Sequence, residues 1–183
     1  RLSSHALRRV IDHVLLPLLR DVGDGWHRGE VSIAQEHFAS AFVREQLITM
    51  LNRLESGPPG GPVAVCAGYP GETHELGLLA VAVKLALRGW RVAYLGVDLP
   101  IEELAELLST RNAELICQSL MSPRDRDELQ DYTRRLLRLC PPDTFIALGG
   151  PGVDGLQDLS EGRLLLTPAF QKLIDEVDAH RRG

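Results

Sequence analysis

The sequence has few of the features that mark a secreted, membrane-bound or nucleic-acid-binding chain. Its 183 residues include three cysteines, Cys66, Cys117 and Cys140, an odd number at scattered spacing that makes neither a disulfide framework nor a zinc site. No apolar run reaches the roughly 18 residues that a transmembrane helix needs. With 20 Lys and Arg against 25 Asp and Glu, the net charge is −5, which does not attract phosphate backbones. We therefore do not expect the chain to grip nucleic acid by itself.

The first segment also lacks the features of a signal peptide, because it is a charged amphipathic pattern. We expect a cytoplasmic protein without a membrane partner. The chain begins with Arg1-Leu2 rather than Met, so we also expect it to be part of something longer.

The first part of the chain predicts helices and no strands. Residues 4–22 carry a stripe of apolar side chains at helical spacing: Leu7, Val10, Ile11, Val14, Leu15, Leu18, Leu19 and Val22. Pro17 should kink or split this helix, and Gly23-Asp24-Gly25 should end it. A second helix is predicted from about Val31 to Leu54, with Ser32 as its cap. Its predicted buried residues are Ile33, Phe38, Ala41, Phe42 and Leu47.

The remainder predicts one α/β domain. Residues 57–62 are rich in Gly and Pro, so we divide the chain into a helical bundle cap (1–56), a linker (57–62) and an α/β domain (63–183). The predicted strands are Val63–Ala67, Arg91–Leu95, Glu114–Ser119, Thr144–Leu148 and Arg163–Leu166. Helical patterns separate them, which is typical of a parallel sheet covered on both faces. The sequence thus predicts a flavodoxin-like (Rossmann-like) five-stranded domain with its ligand at the carboxyl ends of the strands.

The loop after the first predicted strand carries a candidate metal ligand. It contains neither a GxGxxG fingerprint nor a GK[ST] phosphate loop, and it offers a histidine where a phosphoacceptor domain would need an aspartate. Glu72, two residues before His74, is placed to hydrogen-bond one ring nitrogen and leave the other free for a metal. The alternative is that His74 is an ordinary surface histidine at the start of a helix.

Two further motifs close later strands. Ser119-Leu120-Met121 follows Gly77 after 41 residues, and Gly149-Gly150 follows Met121 after 27 residues. Together with Glu72-x-His74-x-x-Gly77, these motifs closely resemble the cobalamin-binding domain family over roughly residues 62–155. Glu72 stands for the usual Asp and Met121 for the usual Leu, and neither change removes the chemistry, because a carboxylate and an apolar side chain are kept.

The resemblance implies a role for each motif. His74 would be the lower axial ligand of cobalt, with Glu72 as its hydrogen-bond partner and Thr73 between them in the same site. Ser119 would hydrogen-bond the buried base of the cofactor's nucleotide tail. Three glycines would let the tail approach the backbone: Gly77, Gly149 and Gly150.

The helical region carries a second resemblance. Trp26 is followed by nine residues and then Glu36-His37, a pattern similar to that of the light-dependent, CarH-like (MerR-family) repressors, which use adenosylcobalamin. The resemblance implies that the cap covers the upper face of the corrin. Trp26 would pack against the adenosyl group, and Glu36 and His37 would shape the same pocket. His27 would bind cobalt after light has broken the Co–C bond; the alternative is a solvated histidine in a turn.

Two charged segments are interpreted as structural. Glu75 favours the N-terminus of its own helix, and Arg124-Asp125-Arg126-Asp127 is a solvated helix start.

The resemblance implies a sensor rather than an enzyme. In CarH-like proteins the dark form is a tetramer that holds DNA, so we expect a homo-oligomer that contacts DNA only through a MerR-type domain outside this sequence. Two alternatives stay open. A methyl-carrying corrinoid protein would share the residues that hold the cofactor but would not need Trp26, His27 or Glu36-His37. A stand-alone cobalamin protein that regulates a separate repressor would differ only in its partner.

Overall fold

The computed structural model describes residues 3–54 and 60–182, and within them the predicted helical and α/β parts are both present. The helical cap consists of α1 (Ser4–Val10), a π-helical turn (Ile11–Leu15), α2 (Leu16–His27) and α3 (Ile33–Leu54). Residues 57–59 of the predicted linker lie outside the described residues.

Pro17 changes the hydrogen bonding of the first helix without ending it. Proline has no backbone N–H, and its ring clashes with the carbonyl four residues earlier. The helix widens just before it into the π turn Ile11–Leu15, where the N–H of Leu16 donates to the carbonyl of Ile11, five residues back. The predicted kink or split at Pro17 therefore takes the form of a π turn between two α-helical segments.

The predicted end of this helix at Gly23-Asp24-Gly25 is wrong, because α2 continues to His27. Gly25 allows close packing here. A Cβ on it would stand 2.7 Å from Cγ2 of Val31, and its carbonyl accepts the N–H of Val31. The glycine thus lets the turn between α2 and α3 fold back on the helix.

Helix α3 begins where the sequence predicts. Ser32 Oγ accepts the N–H of Gln35, and Gln35 Oε1 accepts the N–H of Ser32, which is a reciprocal capping arrangement. The predicted buried face is wrong in part. Leu47 is buried, but the other four predicted residues are exposed: Ile33, Phe38, Ala41 and Phe42.

The buried positions of α3 are Val43, Leu47 and Leu51, four residues apart, so only the second half of the helix packs against the rest of the molecule. The apolar spacing predicts a stripe along the whole helix. The first half of that stripe faces solvent instead.

The α/β part contains five parallel strands, as predicted, and their order is β2-β1-β3-β4-β5. The strands are β1 (Val63–Gly68), β2 (Arg91–Tyr94), β3 (Leu115–Ser119), β4 (Phe145–Gly149) and β5 (Leu164–Thr167). The helices are α4 (Leu76–Ala86), α5 (Ile101–Arg111), α6 (Arg126–Leu139) and α7 (Phe170–Arg182). Short 3-10 turns at Pro151–Val153 and Gln157–Leu159 join β4 to β5.

Helix α4 connects the two parts of the molecule. Every residue from Leu78 to Ala86 is buried, because α4 and α7 cover one face of the sheet and the cap packs on the outside of α4. Helices α5 and α6 cover the other face. Lys84 lies in the buried layer, and its charge is paired with Asp12 of the π turn, as a buried charge requires. In the ranges that the structure describes, no helix is long and apolar enough to cross a membrane.

The packing of α3 predicts unequal effects along that helix. Leu47→Ala should lower the free energy of unfolding by about 2–5 kcal/mol, since it leaves a cavity in the layer shared with α4. Phe38→Ala should change it by less than about 0.5 kcal/mol, because that side chain is 77% exposed. Urea unfolding followed by circular dichroism measures both, and equal losses would contradict this buried face.

Candidate functional site

The site lies where the order of the strands reverses. Strand β1 leads to α4 on one face of the sheet and β3 leads to α6 on the other, so a crevice opens between their carboxyl ends. Four residues at this edge are in register across the sheet: Gly68, Ser119, Gly149 and Thr167. The loop that carries Glu72 and His74 therefore leaves from the same edge as the two later motifs.

The Glu72 carboxylate is the centre of this site. Its side chain is only 1% exposed. Oε1 accepts the N–H of Thr73 (3.0 Å), the N–H of His74 (3.1 Å) and the ring Nδ1 of His74 (2.5 Å). Oε2 accepts the backbone N–H groups of Met121 (2.8 Å) and Ser122 (3.1 Å) on the loop after β3. One buried carboxylate thus holds two loops and one histidine ring.

These hydrogen bonds keep Glu72 ionised. Burial by itself raises the pKa of this carboxyl, but the bonds from His74, Ser122 and Met121 outweigh burial and lower the pKa from 4.5 to about 2. Since an ionised carboxylate only accepts, the proton of the His74 ring lies on Nδ1. The ring is 63% exposed, so Nε2 is left as a free ligand atom of fixed orientation.

Ser119 supplies an unsatisfied hydroxyl at the end of β3. Its Oγ is buried and has no hydrogen-bond partner among the described residues. Leaving such a group unpaired costs about 1–3 kcal/mol, so buried hydroxyls normally find a partner. The hydroxyl is therefore available to a polar group that the protein does not supply.

Two glycines at the end of β4 let other parts of the protein approach their backbone closely. Gly150 has φ +122, and a Cβ on it would stand 2.4 Å from the backbone oxygen of Leu120, so no other residue fits there. A Cβ on Gly149 would stand 2.7 Å from the Leu173 side-chain tip of α7, which is flexible and can shift. Nothing lies within 4 Å of a Cβ placed on Gly77, so the first turn of α4 has open space beside it.

Trp26 and His27 form an exposed pair at the end of α2. The Trp26 side chain is 45% exposed, and its ring meets that of His27 edge-on, with centroids 4.9 Å apart. His27 Nδ1 donates to the Gly23 carbonyl at 2.8 Å, which leaves Nε2 free. The helix thus presents a flat apolar ring beside an unused ring nitrogen.

Glu36 and His37 form a second pair, in the first turn of α3. His37 Nδ1 lies 2.6 Å from one oxygen of Glu36, and Ser40 Oγ donates to the other at 2.6 Å. The bonds from Ser40 and then His37 lower the pKa of the Glu36 carboxyl. Within the described residues, no hydrogen bond or ion pair joins either cap pair to Glu72 or His74.

A connection that the sequence analysis missed links the cap to the histidine loop. Arg44 of α3 donates to Glu75 Oε1 at 2.5 Å, and the Tyr94 hydroxyl of β2 donates to Glu75 Oε2 at 2.9 Å. Burial and the bond to Glu75 raise the pKa of Tyr94, so its phenol stays a donor. Glu75 directly follows His74, and it ties that loop to α3 instead of capping its own helix. No local pattern in the sequence joins these three positions.

The parallel sheet has this strand order, and a carboxylate holds a histidine where the order reverses. These features define a class of ligand-binding α/β domains. The chain belongs to the B12 binding domain family, whose model matches residues 62–163; a second model of the same description matches residues 1–49. The resemblance to cobalamin-binding domains that the sequence motifs indicate is confirmed.

Two curated relatives from Myxococcus xanthus are similar to most of the chain. The HTH-type transcriptional repressor CarH is 33% identical over 153 residues, which are 84% of this chain and 50% of that protein. The HTH-type transcriptional repressor CarA is 35% identical over 141 residues, 77% of this chain and 46% of that protein. The similarity to CarH-like proteins is thus confirmed, and the chain spans about half the length of these relatives.

A solved structure shares the whole architecture. The Methanosarcina barkeri monomethylamine corrinoid protein matches with a TM-score of 0.72 and 18% identity, covering 96% of this chain and 83% of that chain. At this identity the match shows the fold alone. It does show that the helical cap and the parallel sheet occur together in a second protein.

The residues at the sheet edge fit a cobalamin. Nε2 of His74 is free, Ser119 Oγ lacks a partner, and there is open space beside Gly77. Because a corrin carries its own cobalt, His74 Nε2 would be the ligand that this edge of the sheet supplies. Among the described residues, no three His, Cys, Asp or Glu side chains are grouped to hold a metal ion.

The lowered pKa of Glu72 predicts a pH-dependent stability. Because the folded pKa lies near 2 and the ordinary value is 4.5, the ionised carboxylate stabilises the fold above about pH 4.5, and this contribution is lost as the pH falls toward 2. Glu72→Gln should cost on the order of 3 kcal/mol of unfolding free energy at pH 7 and progressively less below pH 4.5.

Urea unfolding of wild type and variant at pH 7, 4 and 3 measures this difference. Glu106→Gln, at an exposed position of α5, is the control and should show no such trend. A difference between wild type and Glu72→Gln that stays constant with pH would contradict the role assigned to Glu72.

Proposed function

We propose that this chain is the light-sensing, adenosylcobalamin-binding module of a cytoplasmic transcriptional regulator and not an enzyme. One observation carries the proposal. The similarity to the repressor CarH covers 153 residues, which is more than the chain contains after residue 62. The similarity therefore reaches into the helical cap. In that cap Trp26 and His27 lie side by side and exposed. The resemblance to CarH-like proteins assigns this pair to the side of the cofactor that carries the adenosyl group.

The α/β domain binds the lower face of the cofactor in this proposal. His74 gives Nε2 to the cobalt, while Glu72 holds the ring through Nδ1 and prevents it from turning. Ser119 Oγ hydrogen-bonds the base of the nucleotide tail, which satisfies a hydroxyl otherwise buried alone. The open space beside Gly77 admits that tail, whereas at Gly149 and Gly150 the space that a Cβ would take is already filled by the protein.

The cap covers the upper face. Trp26 offers a large apolar surface to the adenosyl group, and the ionised carboxylate of Glu36, beside His37, accepts hydrogen bonds from ribose or adenine. The bound cofactor supplies a Co–C bond that light cleaves. The free Nε2 of His27, which lies beside Trp26, would be available to the cobalt once that bond is broken.

The cap is suited to report the loss of the upper group because only half of it is anchored. Ile11, Leu15 and Leu47 are buried and Asp12 pairs with Lys84, whereas the half that carries Trp26 has an exposed apolar surface. A ligand can shift the equilibrium between two conformations only if its contacts differ between them. The unanchored half of the cap is where we expect those contacts to change. We propose that its movement alters a homo-oligomer, a tetramer in the dark, and that DNA is bound through a separate domain.

A methyl-carrying corrinoid protein is the second candidate. The fold shared with the monomethylamine corrinoid protein, cap included, is compatible with it. Such a carrier would use His74 and Ser119 in the same way but would not need His27 beside Trp26. A stand-alone cobalamin protein that regulates a separate repressor differs from the main proposal only in its partner.

Absorption spectra and size-exclusion elution, each recorded in the dark and after green light, test the light sensor directly. With adenosylcobalamin, we expect a stable spectral change on illumination together with a shift in elution volume. Methylcobalamin run in parallel shows whether the response needs the adenosyl group. Binding without a stable photoproduct and without a change in size would contradict the sensor and favour the methyl carrier.

Two histidine variants assign the two faces. His74→Ala should weaken binding and change the dark spectrum, because the lower histidine ligand is lost. His27→Ala should leave the dark spectrum intact and alter only the spectrum after light. His13→Ala, at an exposed position of the π turn, is the matched control. An unchanged dark spectrum and affinity in His74→Ala would overturn the axial assignment, and an unchanged lit spectrum in His27→Ala would overturn the upper one.

A further inference from the structure

Arg124 lies beside the histidine loop in a position that the sequence does not indicate. It belongs to the segment between β3 and α6, and it is partly buried although the run Arg124 to Asp127 predicts a solvated helix start. Its guanidinium carbon stands 5.3 Å from the centre of the Tyr69 ring. Its Nη2 is 3.6 Å from where a Cβ on Gly71 would be. The guanidinium is therefore held between an aromatic face and the backbone of the loop that carries His74.

This guanidinium has no acidic partner in the described part of the chain. Its Nε is buried without a hydrogen bond, whereas three other arginines of this region each pair with a carboxylate. Those pairs are Arg126 with Asp158, Arg134 with Asp131, and Arg135 with Glu102.

Two acids close to Arg124 in the sequence each accept a hydrogen bond from another group. Asp125 caps α6 by accepting the N–H of Asp127 at 2.9 Å, and Glu128 accepts the Tyr69 hydroxyl at 3.3 Å. Burial raises the pKa of Tyr69 to about 12, so the phenol stays neutral and supplies no negative charge. A guanidinium N–H that is buried without an acceptor is unfavourable, so the position of Arg124 is suited to an acceptor from outside the chain.

The loops around Glu72 put Arg124 next to the cofactor site. Oε2 of Glu72 accepts the N–H of Ser122, two residues before Arg124, while Oε1 holds the His74 ring. Gly71, against which Arg124 lies, directly precedes Glu72. A corrin bound at His74 is a wide disc whose rim carries carboxamide oxygens, and its nucleotide arm carries a phosphodiester. Both are acceptors that match a guanidinium.

We propose that Arg124 is a further cobalamin-binding residue, which donates to an acceptor oxygen on the rim or nucleotide arm of the bound cofactor. The stack on Tyr69 holds the guanidinium in place before binding, so little side-chain freedom is lost when the contact forms. The inference rests on the cobalamin binding of the proposed function and is independent of the light response.

Titration in the dark tests the proposal with two probes, hydroxocobalamin and cobinamide, which lacks the nucleotide arm. Arg124→Met keeps the apolar stem and removes the donors, and we expect it to weaken hydroxocobalamin binding about tenfold or more, as the loss of a charge-assisted hydrogen bond does. Arg126→Met, two residues further on and exposed, is the matched control and should bind as wild type does. Thermal unfolding of each variant checks its fold, and Arg124→Gln replaces Arg124→Met in the comparison if the latter does not fold.

The two probes identify the acceptor. Equal weakening with both probes indicates a carboxamide of the rim, and weakening with hydroxocobalamin alone indicates the phosphodiester. Wild-type affinity of a folded Arg124 variant for both probes would overturn the proposal, and so would an equal loss in Arg126→Met. A wild-type chain that binds neither probe would contradict the proposed function itself, so the two failures are distinguishable.

Discussion

The buried carboxylate of Glu72 is the interaction on which the site depends. It accepts five hydrogen bonds from two loops that leave neighbouring strands. The crevice where the strand order reverses therefore has a fixed shape before any ligand enters. Because these donors keep the carboxyl ionised, the His74 ring has one tautomer and one orientation. The usual Asp of the family is one methylene shorter. The longer Glu72 side chain still reaches His74 and both backbone N–H groups of the β3 loop.

The cap depends on a different constraint, the burial of α4. A helix with apolar residues all round must be covered on both sides, and the sheet covers one side while α3 and the π turn cover the other. Lys84 in that layer requires Asp12, which the widened helix before Pro17 carries. This packing fixes one half of the cap and leaves the half with Trp26 free of it. The fold thus separates an anchoring half from a half that is available to a ligand.

The sequence predicts the α/β part well because its signals are local. The alternation of apolar strands and helices, and the motifs at the strand ends, are complete within short segments. Each strand begins and ends within about one residue of its predicted bounds. The cap is predicted less well. Helical spacing reveals the stripe that contains Phe38 and Phe42 but not whether anything packs against it. Glycine normally ends helices, yet Gly25 serves a tertiary contact with Val31.

The unforeseen contacts around the histidine loop join residues far apart in the chain. Arg44 with Glu75, and Arg124 with Tyr69, surround the loop that carries His74. Two polar atoms and one apolar ring are unsatisfied on the two sides of the proposed cofactor: Ser119 Oγ, Arg124 Nε and the exposed ring of Trp26. Each such group lowers the stability of the ligand-free protein. A ligand that satisfies the group and binds only the native state adds its binding free energy to that stability. In the proposed function, the chain gives up stability in the free state at the positions where it would gain affinity for the cofactor.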